Sequence, residues 1–349
     1  MTTDVKIDIR KLTIDQIKEM ITAMGEPSFR AKQIYEWLWQ KSATSISHMT
    51  NLPLSLRQKL DELYEINPIK TDKIQKSLDG TIKTRFELYD GHKIEAVLIP
   101  VPDDKRFTVC VSTQVGCSLT CKFCATGQMK RVRNLDPSEI YDQYVLVNQQ
   151  CINTYGQQLT NVVYMGMGEP LLAYSSTLES VYLLTSPAGL NISPKRITVS
   201  TAGIAKMIIR LADEDVKFNL ALSLHAADDV KRNEIMPINE QNNLEVLMEA
   251  LSYFYKKTGN KISYEYIAFK NFNDSMEDAK NLVKLCKQFP VKVNIIEYNS
   301  IDGVAFVKAD EEKTNNFAKY LRSHDIMVTI RRSRGKDIDA ACGQLANKE

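Results

Sequence analysis

Three cysteines crowd into eight residues of the segment GCSLTCKFCATG: Cys117, Cys121 and Cys124, spaced C-x3-C-x2-C, with Phe123 just before the third. Thiolates are soft ligands that suit iron–sulfur clusters and zinc. Three of them on one short loop can hold three irons of a cubane cluster and leave the fourth iron open to a non-protein ligand. A structural zinc site is the competing use, with Cys110 as its fourth ligand. Zinc ribbons, however, usually place two C-x2-C pairs far apart, and only one such pair exists here. The seven cysteines are an odd number, and in a reducing compartment clustered thiols point to metal or redox chemistry rather than to a disulfide framework.

Other reactive or ligand-binding residue types stand at the ends of apolar segments. MGMGEP carries Gly168, which lets backbone approach a ligand closely, and Glu169, a carboxylate able to accept from an amino group. Ser200 ends the segment in TVSTAG, Ser223, Leu224 and His225 fall in LSLHA, and Asn299 in EYNS. Singly, each serves equally well as a helix cap or turn residue. His225 alone would serve as a structural histidine, and four histidines in all do not make a histidine-rich metal site. Cys342, between small residues in DIDAACGQLA, reads as an accessible loop cysteine. Cys110, in FTVCVSTQVGC, lies within an apparent strand, where a free cysteine often packs in the core. Glu95, in HKIEAVLIP, shares a strand face with Val97 and Ile99, and apolar surroundings would raise its pKa and suit it to act as a base. Cys151 and Cys286 fall on expected helices and read as structural.

The elements that position these residues follow from periodicity. Residues 1–80 read as mostly helical, in LTIDQIKEMITAMG, PSFRAKQIYEWLWQK and LPLSLRQKLDELYEI, with basic and aromatic side chains (Arg30, Lys32, Trp37, Trp39, Lys41). TRFELY and HKIEAVLIP flank Asp90–Gly91, a hairpin signal. Strands and helices then alternate. The strands are RFTVCVS, NVVYMG, RITVST, FNLALSLH, ISYEYIAF, VKVNIIEY and IMVTIRR. The helices lie near 137–151, 175–185, 203–212, 228–235, 243–257, 275–288 and 311–323. About six β-then-α units predict an α/β fold: a partial (β/α)6 barrel over 81–349, with a hairpin extension and a small helical domain over 1–80. In such barrels ligands sit at the C-terminal strand ends, where the cysteine loop and the segments around Glu169, Ser200, His225 and Asn299 fall. The start MTTDVKIDIRKLT has no apolar leader and no apolar run approaches a membrane span, so a cytoplasmic protein with no membrane contact is expected. The net charge of +2 neither demands nor excludes nucleic acid.

The C-x3-C-x-aromatic-C loop on a partial barrel resembles the radical S-adenosylmethionine (SAM) superfamily. That resemblance implies one [4Fe–4S] cluster on Cys117, Cys121 and Cys124, with SAM bound to the open iron and cleaved reductively to a 5′-deoxyadenosyl radical. It also implies SAM contacts at Gly168, Glu169, Ser200, Ser223, Leu224, His225 and Asn299. With Cys342, Cys110, Glu95 and MGMGEP, nearly the whole chain closely resembles the dual-specificity 23S rRNA/tRNA adenine-C2 methyltransferases, the RlmN type. The implied activity is methylation of C2 of adenosine 2503 in 23S rRNA and of adenosine 37 in tRNAs, with two SAM per turnover. In that family one SAM methylates a cysteine, here Cys342, and the radical from a second takes a hydrogen from the S-methyl group. The methylene then adds to adenine C2, a base, here Glu95, removes the C2 proton, and a second cysteine, here Cys110, attacks the sulfur of Cys342 and frees the RNA by forming a disulfide. A related family methylates C8 and has Ala where this chain has Pro170. The usual Asn of the C2 loop is replaced here by Ala173. A non-catalytic cluster or zinc RNA-binding protein remains the alternative from another class.

RNA contact calls for positive charge and flat groups. Lys130, Arg131 and Arg133 follow the cysteine loop, and Arg331, Arg332, Arg334 and Lys336 precede Cys342. Singly such runs are ordinary solvated charge. Flanking the site together, they are expected to meet 23S rRNA and tRNA, with the helical domain gripping folded RNA and the target base out of its stack. A flavodoxin-like or ferredoxin-like electron donor is the other expected partner, and the chain is expected to be a monomer.

Overall fold

The protein is described by a computed structural model over residues 6–348, so the first five residues of the polar start lie outside the described residues. Three short helices open it: α1 (Ile14–Ala23), α2 (Phe29–Trp39) and α3 (Leu54–Leu63). A capping box starts α1, with Thr13 accepting from the Gln16 amide and the Gln16 side chain accepting from the Thr13 amide. Its helical spacing buries Ile17 and Ile21 against Ile34 and Leu38 of α2 and Leu56 and Leu60 of α3. Arg10 fastens this layer to the rest, donating to Asp142 at 2.8 and 3.0 Å and to the Asn67 carbonyl at 2.6 Å.

The helical stretch ends before residue 80. β1 (Lys70–Lys76) is extended and pairs antiparallel with β2 (Ile82–Glu87), which turns through Asp90–Gly91 into β3 (Lys93–Val101). The sequence KTDKIQK carries too little apolar signal to announce an edge strand, although its charge protects an exposed edge. β3 runs antiparallel to β4 (Arg106–Cys110).

From β4 onward the main sheet is parallel, through β5 (Asn161–Tyr164), β6 (Ile197–Thr201), β7 (Asn219–Ser223), β8 (Ile262–Ala268), β9 (Val291–Glu297) and β10 (Met327–Arg331). Between the strands run α4 (Pro137–Tyr155), α5 (Tyr174–Thr185), α6 (Ala205–Asp213), α7 (Asp229–Ile235), α8 (Leu244–Thr258), α9 (Met276–Cys286) and α10 (Glu311–Arg322). The ten strands lie in chain order, and β1 and β10 form the two edges, so the barrel is partial. Apolar runs such as Leu220–Leu222 are buried because helices cover the sheet. Cys151 and Cys286 are buried on α4 and α9, as expected of packing residues. Among the described residues no helix is long and apolar enough to cross a membrane.

Candidate active site

The strand register continues past Cys110 and sets the cysteine loop against the next strand end. The Val111 amide donates to the Val163 carbonyl at 2.9 Å, and Thr113 to Met167 at 2.8 Å. Ser112 is fully buried. Its Oγ donates to the Glu95 carbonyl at 2.6 Å and accepts from the Met167 amide at 2.8 Å, while Gln143 of α4 accepts from its amide at 2.8 Å. Gln114 Oε1 accepts from the Glu169 amide at 2.9 Å. Gly168 has φ +96°, and a Cβ there would fall 2.5 Å from the Gln114 Cβ, so only glycine permits this approach.

These loops wall an open cleft at the C-terminal strand ends. Nine of the expected residues line it: Cys117, Cys121, Cys124, Gly168, Glu169, Ser200, Ser223, His225 and Cys342. Leu224, Asn299, Cys110 and Glu95 do not. Leu224 is wholly buried, and its amide donates to the Glu265 carbonyl at 3.0 Å. Asn299 holds the tail instead, with Nδ2 donating to the Cys342 carbonyl at 3.3 Å.

Burial pushes all three loop thiols up, Cys117 to about 11, and their mutual proximity adds to this for Cys117 and Cys121. Crowded, half-buried thiols of this kind suit a bound cationic centre, which displaces their protons. Among the described residues no three Cys, His, Asp or Glu side chains converge on a single ion. A cluster fits this donor set better than zinc, because in a cluster each thiolate takes its own iron whereas zinc draws its ligands onto one ion. Nor does Cys110 join the trio as a fourth ligand, since it is buried at the end of β4 and does not line the cleft that the trio lines.

Glu169 is buried, with Oε1 accepting from Leu171 at 3.0 Å and Oε2 from Ala202 at 2.8 Å. Burial raises its pKa and those hydrogen bonds oppose the rise. His225 sits at φ +56°, its Nδ1 accepting from the Ile267 amide at 3.1 Å, which places the ring proton on Nε2. Burial, then the Arg232 charge, pushes its pKa down to about 3, so the imidazole is neutral. It packs edge-on to Phe123, with ring centroids 4.7 Å apart. Ser200 and Ser223 face each other with their oxygens 3.4 Å apart.

The C-terminal tail closes one side of the cleft. Ala125 donates to the Gly343 carbonyl at 2.7 Å and Thr126 Oγ1 to the Leu345 carbonyl at 2.6 Å, laying the tail on the cysteine loop. Cys342 is exposed, as expected of an accessible loop cysteine, but it opens onto the cleft and is surrounded by protein. Burial, then Cys342, pushes the buried Cys110 thiol up to about 12, and Arg331 opposes this. Both sulfurs are free thiols.

Glu95 lies behind the tail, and its surroundings are not the apolar ones expected. Oε1 pairs with the buried Lys83 ammonium at 3.3 Å, and Oε2 accepts from the Ala346 and Asn347 amides at 3.0 and 3.2 Å. The carboxylate therefore anchors the segment that carries Cys342.

Much of the basic charge expected to face RNA is neutralised within the fold. Arg133 pairs with Asp90 at 2.6 Å and Glu139 at 2.7 Å. Glu297 accepts from Arg332 at 2.8 Å and from Lys308 and Lys336 at 3.0 Å, which holds its carboxyl well below the usual range despite partial burial. Arg331 lines the cleft and pairs with Glu265 at 3.0 Å. Among the described residues Lys130, Arg131 and Arg334 keep no carboxylate partner. The sequence reading passed over Ser112, Gln114, Gln143, Thr126, Glu265 and Arg232. For Ser112 and Gln114 a signal existed, since polar residues continuing a buried strand toward a cysteine loop must find partners.

Comparison with known proteins places this geometry. Residues 7–66 match the ribosomal RNA large subunit methyltransferase N-terminal domain, and residues 111–283 match the radical SAM superfamily. The "Probable dual-specificity RNA methyltransferase RlmN" of Cytophaga hutchinsonii is 56% identical over 98% of this chain and 93% of its own. The "Dual-specificity RNA methyltransferase RlmN" of Campylobacter concisus is 42% identical over 97% of this chain and 90% of its own. The crystal structure of a radical SAM methyltransferase from Sphaerobacter thermophilus superposes with a TM-score of 0.91 at 39% identity, covering 98% of this chain and all of that one.

Proposed function

The chain belongs to the RlmN family of dual-specificity radical SAM RNA methyltransferases, and from that premise we propose that it methylates C2 of adenosine 2503 in 23S rRNA and of adenosine 37 in tRNAs through an S-methyl group on Cys342. The superfamily works with a [4Fe–4S] cluster and SAM, and the donor set here fits them. Cys117, Cys121 and Cys124 would hold the cluster, and Gly168, Glu169, Ser200, Ser223 and His225 would surround the SAM. Bound there, the two supply a methyl group and a one-electron cleavage that initiates hydrogen-atom removal.

This chain's residues do the rest. Adenine C2 is electron-poor and has no lone pair to attack a sulfonium, so the methyl group must be carried and activated by the protein. The observation that supports this most is the tail's placement, which sets Cys342 on the wall of the cleft that the cysteine trio lines. Cys342 takes the methyl group on Sγ, loses a hydrogen atom from it, and bonds to C2. Glu95 is the base for the C2 proton, and the unpaired electron left on the adduct would pass back to the iron centre that the cysteine trio would hold, leaving a closed-shell thioether. Because both Glu95 oxygens are engaged, one must first leave the tail amides or Lys83. Cys110, as a thiolate, then attacks Sγ of Cys342. The S–S bond forms as the bond from sulfur to the RNA-borne carbon breaks, and the carbon takes up a proton. An external reductant reopens the disulfide.

A neutral imidazole at His225 supplies a hydrogen-bond donor without adding a cation beside a positively charged cosubstrate. RNA phosphates are met by Lys130, Arg131 and Arg334, and the helical layer presents Phe29 and the Trp37–Lys41 pair, with the ammonium 3.9 Å from the ring centroid. A flavodoxin-like or ferredoxin-like carrier donates the electron.

Mass spectrometry of nucleosides from cells lacking this protein tests the reading. Loss of 2-methyladenosine from 23S rRNA and tRNA, restored by the wild-type chain, is expected. Loss of 8-methyladenosine instead would reassign the carbon, and no loss of either would overturn the reading.

A further inference from the structure

Arg232 of α7 is a fully buried cation that hydrogen-bonds only to neutral acceptors. Nε donates to the Leu224 carbonyl at 3.0 Å, Nη1 to Asn239 Oδ1 at 2.5 Å, and Nη2 to the Ala202 and Ser223 carbonyls at 2.6 and 3.2 Å. These carbonyls belong to the end of β7 and the turns that follow β6 and β7, which bring Ser223 and His225 to the cleft. The fit is close, for Gly203 has φ +107° and a Cβ there would fall 3.4 Å from Arg232 Nη2.

A buried ion without an ion-pair partner carries a heavy desolvation penalty, and removing a partner from a buried pair is correspondingly damaging. The cysteine loop lies against the same helix: the Lys122 amide donates to the Ile235 carbonyl of α7 at 3.0 Å, and Cys121 packs against the apolar cluster that contains Ile235 and Ala202, whose carbonyl Arg232 holds, while Asp229 stands on the far side of Asn239. A guanidinium keeps its proton in proteins, so the charge is fixed. A charge kept at this place calls for negative charge beside it, and the cysteine trio is where negative charge gathers once its thiols are deprotonated by a cluster. Thiolate-bound iron–sulfur clusters gain one unit of negative charge on reduction, and nearby charge is among the factors that set their potential.

We propose that Arg232 is a positioning residue that holds the turns after β6 and β7 around the cleft and whose fixed charge, beside Cys121, makes a cluster on the trio easier to reduce. The proposal rests on the reading of that trio as cluster ligands. The step is one-electron transfer from an external low-potential carrier, with no bond made or broken.

The full chain, reconstituted anaerobically, is titrated with dithionite and redox mediators, and the reduced cluster is followed by electron paramagnetic resonance. Arg232→Gln removes the charge, and Arg232→Lys keeps it while changing the hydrogen bonds. One unit charge within about 12 Å, at an effective dielectric of about 20, moves the reduction equilibrium by about tenfold or more, which is ~59 mV for one electron. Arg232→Gln is expected to lower the midpoint by at least that much, with Arg232→Lys staying close to wild type. An unchanged midpoint in Arg232→Gln, or equal shifts in both variants, would overturn the proposal. Should Arg232→Gln fail to assemble a cluster while Arg232→Lys assembles one, the charge serves assembly rather than reduction and the proposal is overturned. Failure of both would show a structural residue and overturn it. Wild-type protein without iron would defeat the underlying reading of the trio, a result distinct from any of these.

Discussion

His225 offers a quantitative test of the cleft's electrostatics. The folded ring is held neutral, with its pKa pushed from 6.5 to about 3, first by burial and then by Arg232. The unfolded chain binds a proton that the folded chain refuses, so stability is full above pH 6.5 and is lost as pH falls from there toward 3. Each unit of difference corresponds to about 1.4 kcal/mol, so the whole window is worth about 4–5 kcal/mol. Between pH 7 and pH 5 the loss is about 2 kcal/mol. The perturbation is His225→Gln, whose side-chain oxygen can still accept from the Ile267 amide but does not titrate. Urea unfolding of wild type and variant at both pH values gives a double difference in which the other acid-sensitive groups cancel. Wild type should lose about 2 kcal/mol more than the variant on acidification. Equal losses would show that the ring can accept a proton in the folded state, which would refute its assignment as a neutral donor in the cleft.

Other predictions follow from neighbouring contacts. Cys110→Ala should leave the tail cysteine joined to RNA, seen as a band that survives denaturation and is released by nuclease; normal product release would remove Cys110 from the mechanism. Gly168→Ala places a side chain against Gln114 at a positive φ, and we expect a loss of about 1–3 kcal/mol together with weakened SAM binding by calorimetry. Unaltered binding would show that the Gln114 contact does not shape the site. Lys83→Met leaves the Glu95 carboxylate buried without its ion-pair partner, at an expected cost of about 3–5 kcal/mol. A change under about 1 kcal/mol in urea unfolding would mean that the tail amides alone satisfy Glu95.

Much of this molecule is legible from its sequence because the strongest signals are local. The strands from RFTVCVS to IMVTIRR alternate with helices of ordinary length, and their ends place the cysteine loop, Glu169, Ser200 and His225 on one face without any knowledge of packing. β1 was missed because an edge strand facing water needs no apolar stripe, and KTDKIQK has almost none. Asn299 ends its strand as expected, but its side chain turns to the tail, a choice decided by a segment more than forty residues away. Glu95 shows the same limit from the other side: alternation along β3 shows which face it occupies, not that Lys83 and two tail amides meet it there. Counting the basic residues of the 331–336 run does not show that Glu265 and Glu297 pair with three of them. Arg232 was overlooked because a lone arginine on a short helix looks like a surface residue until burial is known.

The central claim is that the three loop cysteines and the tail cysteine serve one reaction, and methyl transfer to the tail tests it most directly. Iron-loaded protein is turned over with RNA, reductant and SAM carrying a deuterated methyl, so that labelled methyl replaces any already present. Peptide mass spectrometry should find the label on the sulfur of Cys342 and nowhere else, and Cys342→Ala should carry none. Label on another cysteine, or none on protein that holds its iron, would contradict the account.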